Sequence, residues 1–234
     1  LIVSCAGSGI PVSENTRAVN GSTNNITSII WEPSPSSVAD GNDGQLIVRA
    51  SESINMLYAI HNDQGKQNLL MSKTKNIGDS FSEMIRVNSE EGEVSAHGEN
   101  GPKLRNGNGR GIFAAWVGKR DIKFARSMNF GRSFDQSIRV NDDLGKASQS
   151  FFTMEVAPDG TIFLIWLDGR NKKSNRSGTS SVYIARSTDN GKTFEKNIKV
   201  ADDICPCCRT SLAFGDNGEV FASWRHVYEN NERV

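Results

Sequence analysis

The densest concentration of reactive side chains in this sequence is Cys205-Pro206-Cys207-Cys208-Arg209, three thiols within four positions. Three thiols cannot all pair with one another, so one stays free or finds another partner; beside redox chemistry at that thiol, two readings stay open. One is a disulfide, either Cys205–Cys208 or a strained Cys207–Cys208 bridge, which an oxidising compartment favours. The other is a soft-metal site, in which three thiolates and the imidazole of His226 suit copper or zinc. A second set is cationic. Lys119-Arg120-Asp121, Asp168-Gly169-Arg170 and Arg225-His226 each follow an apolar run, and Arg209, His97 and Glu99 add further charge. Forked guanidinium groups capture a carboxylate or sulfate through two parallel hydrogen bonds. The same arginines equally serve as solvated surface groups or as ion pairs between neighbouring elements.

The elements that must position these groups come from an internal repeat. Lys73–Asn88 reads KTKNIGDSFSEMIRVN, Arg126–Asn141 reads RSMNFGRSFDQSIRVN, and Arg186–Ala201 reads RSTDNGKTFEKNIKVA. The three align without a gap, starting 53 and 60 residues apart. A second repeated element lies between them: Ile112–Trp116, Ile162–Trp166 and Val220–Trp224, with Ile54–Tyr58 as a weaker copy. Each strong copy follows Asn-Gly or Asp-Gly, pairs that reach positive φ at little cost and mark tight hairpins. The runs are nearly all apolar, as in strands covered on both faces. One unit is then four strands, A before the glycine turn, B the Trp-ending run, C ending in Ala-Arg-Ser, and D at Ile-Lys/Arg-Val. Four antiparallel strands per ~40–50 residues predict an all-β fold of propeller blades.

Ser187-Thr188-Asp189-Asn190-Gly191-Lys192-Thr193-Phe194 resembles the Asp box, or BNR repeat, of sialidase-like β-propellers. Ser127–Phe134 and Thr74–Phe81 match it with Asn129 and Asn76 in the Asp place and Gly131 and Gly78 in the Gly place. The resemblance covers residues 45–234 and implies a propeller of six blades in full, of which about three and a half are present. It also implies that Asn76, Asn129 and Asp189 are structural: a short polar side chain accepts hydrogen bonds from its own turn. Propeller geometry sets the D-to-A and B-to-C connections on one rim and the C–D turns on the other. The ligand-side rim then gathers His97, Glu99, Arg120, Asp168, Arg170, Arg209, Arg225, His226 and the three clustered cysteines.

The stretch Ala157–Arg170 is similar to the first catalytic blade of sialidases, which makes Arg170 a substrate-binding arginine by resemblance. Two departures stand against hydrolysis. No Arg-Ile-Pro occurs in the chain, and residues 171–180 hold neither Asp nor Glu. Tyr58, Tyr183 and Tyr228 lack an evident Glu partner in sequence.

Lysine plus arginine and aspartate plus glutamate are 27 each, a balance that excludes a basic nucleic-acid footprint. No run of ~18 apolar residues exists to span a bilayer as a helix. Ile2-Val3-Ser4-Cys5 resembles a bacterial lipobox, which implies lipidation at Cys5 and an anchored, exported protein at the cell envelope, periplasmic or surface-exposed. Residues 1–44, rich in Gly, Ser, Asn, Thr and Pro, read as clipped signal and tether, and residues 45–234 as partial propeller. The expected function is binding of an extracellular glycan or another anionic ligand on the arginine-bearing rim, with no cofactor required. Two alternatives stay open: an exo-sialidase or related glycosidase with its catalytic residues in further blades, and an assembly propeller that meets an envelope protein and holds metal through its cysteines.

Overall fold

The structure, a computed structural model, describes residues 42–48, 54–61, 65–74, 81–171, 179–228 and 232. Cys5, Asn76 and Gly78 lie outside the described residues. Among the described residues fourteen strands form three four-stranded antiparallel sheets and one two-stranded sheet. The first sheet is β1 (Asn42–Val48), β2 (Ile54–His61), β3 (Gln67–Thr74) and β4 (Ile85–Arg86). The second is β5 (Lys103–Asn106), β6 (Ile112–Gly118), β7 (Asp121–Ser127) and β8 (Ile138–Arg139). The third is β9 (Gln149–Val156), β10 (Ile162–Asp168), β11 (Ser180–Ser187) and β12 (Ile198–Ile204). The pair β13 (Ser211–Phe214) and β14 (Val220–Ser223) begins a fourth. The only helical turn among the described residues is a short 3-10 segment, Gly98–Asn100. No described helix is long and apolar enough to cross a membrane.

Within each sheet the strands pair in chain order, and the first strand of each sheet lies beside the first strand of the next: β1 with β5, β5 with β9, β9 with β13. This is a β-propeller, with the four-stranded units that the sequence repeat predicts. Successive side chains of a strand point to opposite faces, and the central strands use both. From β6, Ile112, Ala114 and Trp116 pack toward the first blade with Leu57, Leu69 and Met71. Phe113, Ala115 and Val117 pack toward the third with Met154, Leu164 and Trp166. From β10, Ile165 and Leu167 enter a further core with Ile204 and Leu212. An apolar run without alternation is what burial on two faces requires. The third copy departs from this expectation. Phe221 of β14 is 49% exposed, because Ala222 and Trp224 pack on the third blade and no described element covers the opposite face; Val220, which starts the strand on the packed face, is 40% exposed.

The repeated turns after β7 and β11 are built alike. Ser127 Oγ donates to Asn129 Oδ1 at 2.8 Å and accepts from Gly131 N at 2.8 Å, and Asn129 Oδ1 accepts from Ser133 N at 3.1 Å. Ser187, Asp189, Gly191 and Thr193 repeat the pattern at 2.8, 2.9 and 3.0 Å. Gly131 and Gly191 sit at φ +70° and +76°, and a Cβ there would collide with Met71 and Phe124. Phe134 and Phe194 pack half-buried against the cores between blades, Phe194 edge-on to Phe124 at 5.0 Å.

Burial pushes the Asp189 carboxyl up, but hydrogen bonds from Thr193, Ser187 and Lys192 outweigh it and hold it down at about 2. A carboxyl whose folded value lies below its unfolded ~3.9 stabilises the fold above that pH and loses the contribution as pH falls toward the folded value. Asp189→Asn places in this turn the residue its sister turn already carries at 129. The variant is expected to fold within about 1 kcal/mol of the parent at pH 7. Urea midpoints at pH 7 and pH 3 check this: the gap between parent and variant should shrink at pH 3, and an unchanged gap would show that the carboxylate's charge contributes nothing.

Candidate functional site

One rim of the propeller carries both kinds of connection the sequence assigned to it. Gln149 N donates to Arg120 O at 2.9 Å and Gly169 N to Ser148 O at 3.1 Å, so the segment entering β9 lies against the loops leaving β6 and β10. Arg120 itself donates from Nε to Ser148 Oγ at 3.0 Å. On the other rim, Arg126 NH1 reaches the carbonyls of Asp189 and Asn190.

On the first rim stands Arg170, just past the end of β10. Its guanidinium donates to Asp142 Oδ1 at 2.5 Å and Asp168 Oδ2 at 2.9 Å, and to Asn197 Oδ1 at 3.2 Å. Its charge lies 4.1 Å from the centre of the Tyr183 ring, a cation–π contact. Burial lowers its proton affinity, but the bonds and charges of Asp168 and Asp142 raise it further, so it stays cationic at any working pH. Asp168 is fully buried. It also accepts from Trp166 Nε1 and from the Arg170 backbone N, each at 2.8 Å. The guanidinium is therefore committed within the protein: a carboxylate ligand would have to displace Asp142.

Around this pair the loop 141–147 is held by its own side chains. Asn141 Oδ1 accepts from Ile122 N at 2.9 Å, and its amide donates to Asp143 Oδ1 at 2.5 Å. Asn88 does the same for Leu69 N at 2.8 Å one blade earlier. Asp143 Oδ2 accepts from Ala147 N and Gln149 Nε2. Burial raises the Asp142 and Asp143 carboxyls, yet both end below the ordinary value: Asp142 through Arg170 and Asn197, Asp143 through Asn141, Ala147 and Gln149. An open depression of about 320 Å³ lies here, lined by Asp142, Asp143, Leu144, Lys146, Arg170 and Asn171 among others. Leu144 stands on its lip, 69% exposed, with φ +59°. A Leu in the left-handed region is strained, and an exposed one makes no compensating core contact.

The remaining predicted residues fall into two places on this rim. Glu99 and Arg209 form an exposed ion pair at 3.0 Å that joins the segments entering β5 and β13. Beneath it Asn100 Oδ1 accepts from Phe151 N at 2.6 Å and Thr210 Oγ1 donates to Phe151 O at 3.0 Å, pinning the bulged start of β9 from both sides. His97 stays local, with Ser95 O at 3.3 Å and Asn100 at 3.4 Å. The cysteines cluster, with Sγ separations of 3.3 Å (Cys205–Cys207), 3.2 Å (Cys205–Cys208) and 4.0 Å (Cys207–Cys208). These exceed the ~2.05 Å of a disulfide, and none of the three is bridged. Arg225 lies 3.9 Å from Cys208 Sγ. The His226 ring meets Tyr228 edge-on at 4.7 Å and does not join the thiol group.

Sequence reasoning missed Asp142, Asp143, Asn141, Asn197 and Leu144. The asparagines at 88 and 141 were visible as the last residue of two repeat copies. Their role, clamping the start of the third strand of the blade, was not.

No protein-family model and no curated protein sequence matches the chain. Solved structures do. An α-L-arabinanase of Penicillium chrysogenum complexed with arabinobiose aligns with TM-score 0.56 at 8% identity, over 78% of this chain and 58% of that one. An α-L-arabinofuranosidase of Fusarium graminearum in complex with an iminosugar inhibitor gives TM-score 0.55 at 12% identity, over 77% and 57%. An ulvan lyase bound to a GlcA(1-4)Rha3S repeat gives TM-score 0.53 at 14% identity, over 77% and 44%. At these identities the likeness is one of fold. The chain spans about half the length of these structures.

Proposed function

We propose that this propeller binds glycan in the depression between residues 142–147 and 169–171, and that the glycan it takes is neutral and hydroxyl-rich. The observation that carries the reading is Leu144: a strained, exposed apolar side chain on the lip of a polar hollow. Backbone strain persists where the site gains from it, and an apolar face beside hydrogen-bonding groups is what a sugar ring requires. Asp142 is ionised and each of its oxygens retains acceptor capacity after Arg170 and Asn197 are served. Lys146 and Asn171 supply donors. Because Arg170 is already neutralised by two carboxylates, the sequence expectation of an anionic ligand on this arginine gives way to a neutral one. The similar structures solved with arabinobiose and with an iminosugar inhibitor support the choice of a sugar. In the sialidase-like Asp-box reading the same rim is the ligand side, with export by a lipid anchor at Cys5 as its natural setting. Hydrolysis is the alternative reading. Tyr183, stacked under Arg170 and hydrogen-bonded by Asn171 at 2.9 Å, is poorly placed as a nucleophile.

Calorimetric titration with arabino-oligosaccharides and with uronate-containing oligosaccharides tests the proposal. Neutral sugars are expected to bind. Leu144→Gly is expected to weaken them about 10-fold, since covering a Leu side chain is worth ~1.5–3 kcal/mol. It should also stabilise the fold by about 1 kcal/mol by relieving the left-handed strain. Lys146→Ala should weaken binding with stability unchanged. Preference for the uronate sugars, or a Leu144→Gly variant that binds as the parent does, would overturn the reading.

A further inference from the structure

The three thiols and the residues that hold them are not used by the glycan site. They follow directly on β12 and sit against the strand end that carries Arg225 and His226. Cys205 N donates to Arg225 O at 2.8 Å and Val227 N to Asp203 O at 2.8 Å, so backbone bonds on both sides fix the first cysteine. Cys208 N reaches back to Cys205 O at 3.4 Å, closing a turn, and Pro206 stiffens it by fixing one φ. Cys205 is buried, Cys208 half-buried and Cys207 exposed, so the triangle of sulfurs has one open side.

The triangle has the dimensions of a ligand set. A point equidistant from three sulfurs 3.3, 3.2 and 4.0 Å apart lies roughly 2.1 Å from each. A thiolate–metal bond is ~2.3 Å, so an ion in the plane needs the sulfurs to spread only slightly. Among the described residues the group of potential ligand atoms contains three sulfurs and no fourth donor. Zinc sites are almost always four-coordinate, whereas monovalent copper accepts three thiolates in a plane, and soft thiolate ligands select it. Burial and the neighbouring Cys205 sulfur push the Cys208 thiol up to about 11, with the Arg225 guanidinium as the opposing influence.

We propose that Cys205, Cys207 and Cys208 form a trigonal thiolate site for monovalent copper. Binding forms three S–Cu bonds and breaks three S–H bonds, with the protons leaving to solvent and no change of oxidation state. The site then carries a formal charge of −2, which Arg225 partly offsets. His226 is not a ligand, which revises the four-ligand set expected from sequence.

The test is anaerobic titration of the reduced chain with Cu(I) buffered by a competing chelator, followed by thiolate-to-copper charge-transfer absorption in the near ultraviolet, with Zn(II) titrated in parallel. One Cu(I) per chain is expected. Cys207→Ser, at the exposed corner where folding is not at stake, should weaken it by more than the roughly 10–100-fold that loss of an outer-shell partner costs. The triple serine variant should lose the absorption, and His226→Ala should bind as the parent does. Four outcomes overturn the site: no stoichiometric Cu(I) while three thiols titrate, binding that survives in the triple variant, dependence on His226, or a Cys205–Cys208 or Cys207–Cys208 disulfide mapped by mass spectrometry in the protein as isolated.

Discussion

Arg170→Ala is expected to destabilise the propeller by about 3–5 kcal/mol, the cost of leaving a buried charge without its partner. Asp168 is the buried charge: fully enclosed, among the described residues it keeps only Trp166 Nε1, the residue-170 backbone N and a long contact to Gln149 at 3.5 Å once the guanidinium is gone. Asp142 is affected less, because its side chain is 39% exposed and water can replace the lost bond. Two further variants separate this mechanism from a simple loss of packing on Tyr183. Asp168→Asn removes the stranded charge, so Arg170→Ala/Asp168→Asn should be less destabilised than Arg170→Ala alone. Arg170→Lys keeps a charge but cannot fork between two carboxylates and should fall between. Chemical denaturation at pH 7 measures all three against the parent. An Arg170→Ala variant within about 1 kcal/mol of the parent would show that the guanidinium is dispensable to the fold, and would return it to the list of ligand-binding groups.

This arginine also marks where sequence reading succeeds and stops. Its place on the rim followed from strand order alone, since the glycine hairpins at Asn108-Gly109, Asp159-Gly160 and Asn217-Gly218 fixed which end of each B strand faces which way. The strands themselves were legible because two-face burial leaves an unbroken apolar run, and the repeat removed the ambiguity of any single copy. Its partner was not legible. Asp142 lies 28 residues away in a different connection, and nothing local distinguishes it from Asp143 or from Asp202 and Asp203 at the same place one blade later. Long-range ion pairs leave no periodicity. Leu144 was silent for another reason: a left-handed φ shows in sequence only when Gly, Asn or Asp fills the position.

Trp116 and Trp166 occupy the same place in successive blades, and each truncated to Ala should cost ~3–5 kcal/mol. Both are fully buried. The informative comparison is with phenylalanine. Trp166 Nε1 donates to Asp168, whereas Trp116 Nε1 is buried with no hydrogen-bond partner among the described residues, because Gly118 stands where the third blade has Asp168. Trp116→Phe therefore removes a donor that was already unsatisfied, and the desolvation it relieves offsets part of the lost volume. Trp166→Phe removes a satisfied donor and takes one of the few bonds holding a buried carboxylate, a loss of ~1–3 kcal/mol beyond the packing term. Both Trp166 variants lose this bond, so in the Ala pair and in the Phe pair alike the Trp166 variant should be the less stable by at least about 1 kcal/mol, and the Phe pair reads the bond with the smaller packing loss. Thermal or urea unfolding of the four variants reads this directly. Equal costs for the two Phe variants would mean that the Asp168 bond adds nothing. A larger cost at Trp116 would mean that its indole N–H has an acceptor after all, such as a water beside Gly118.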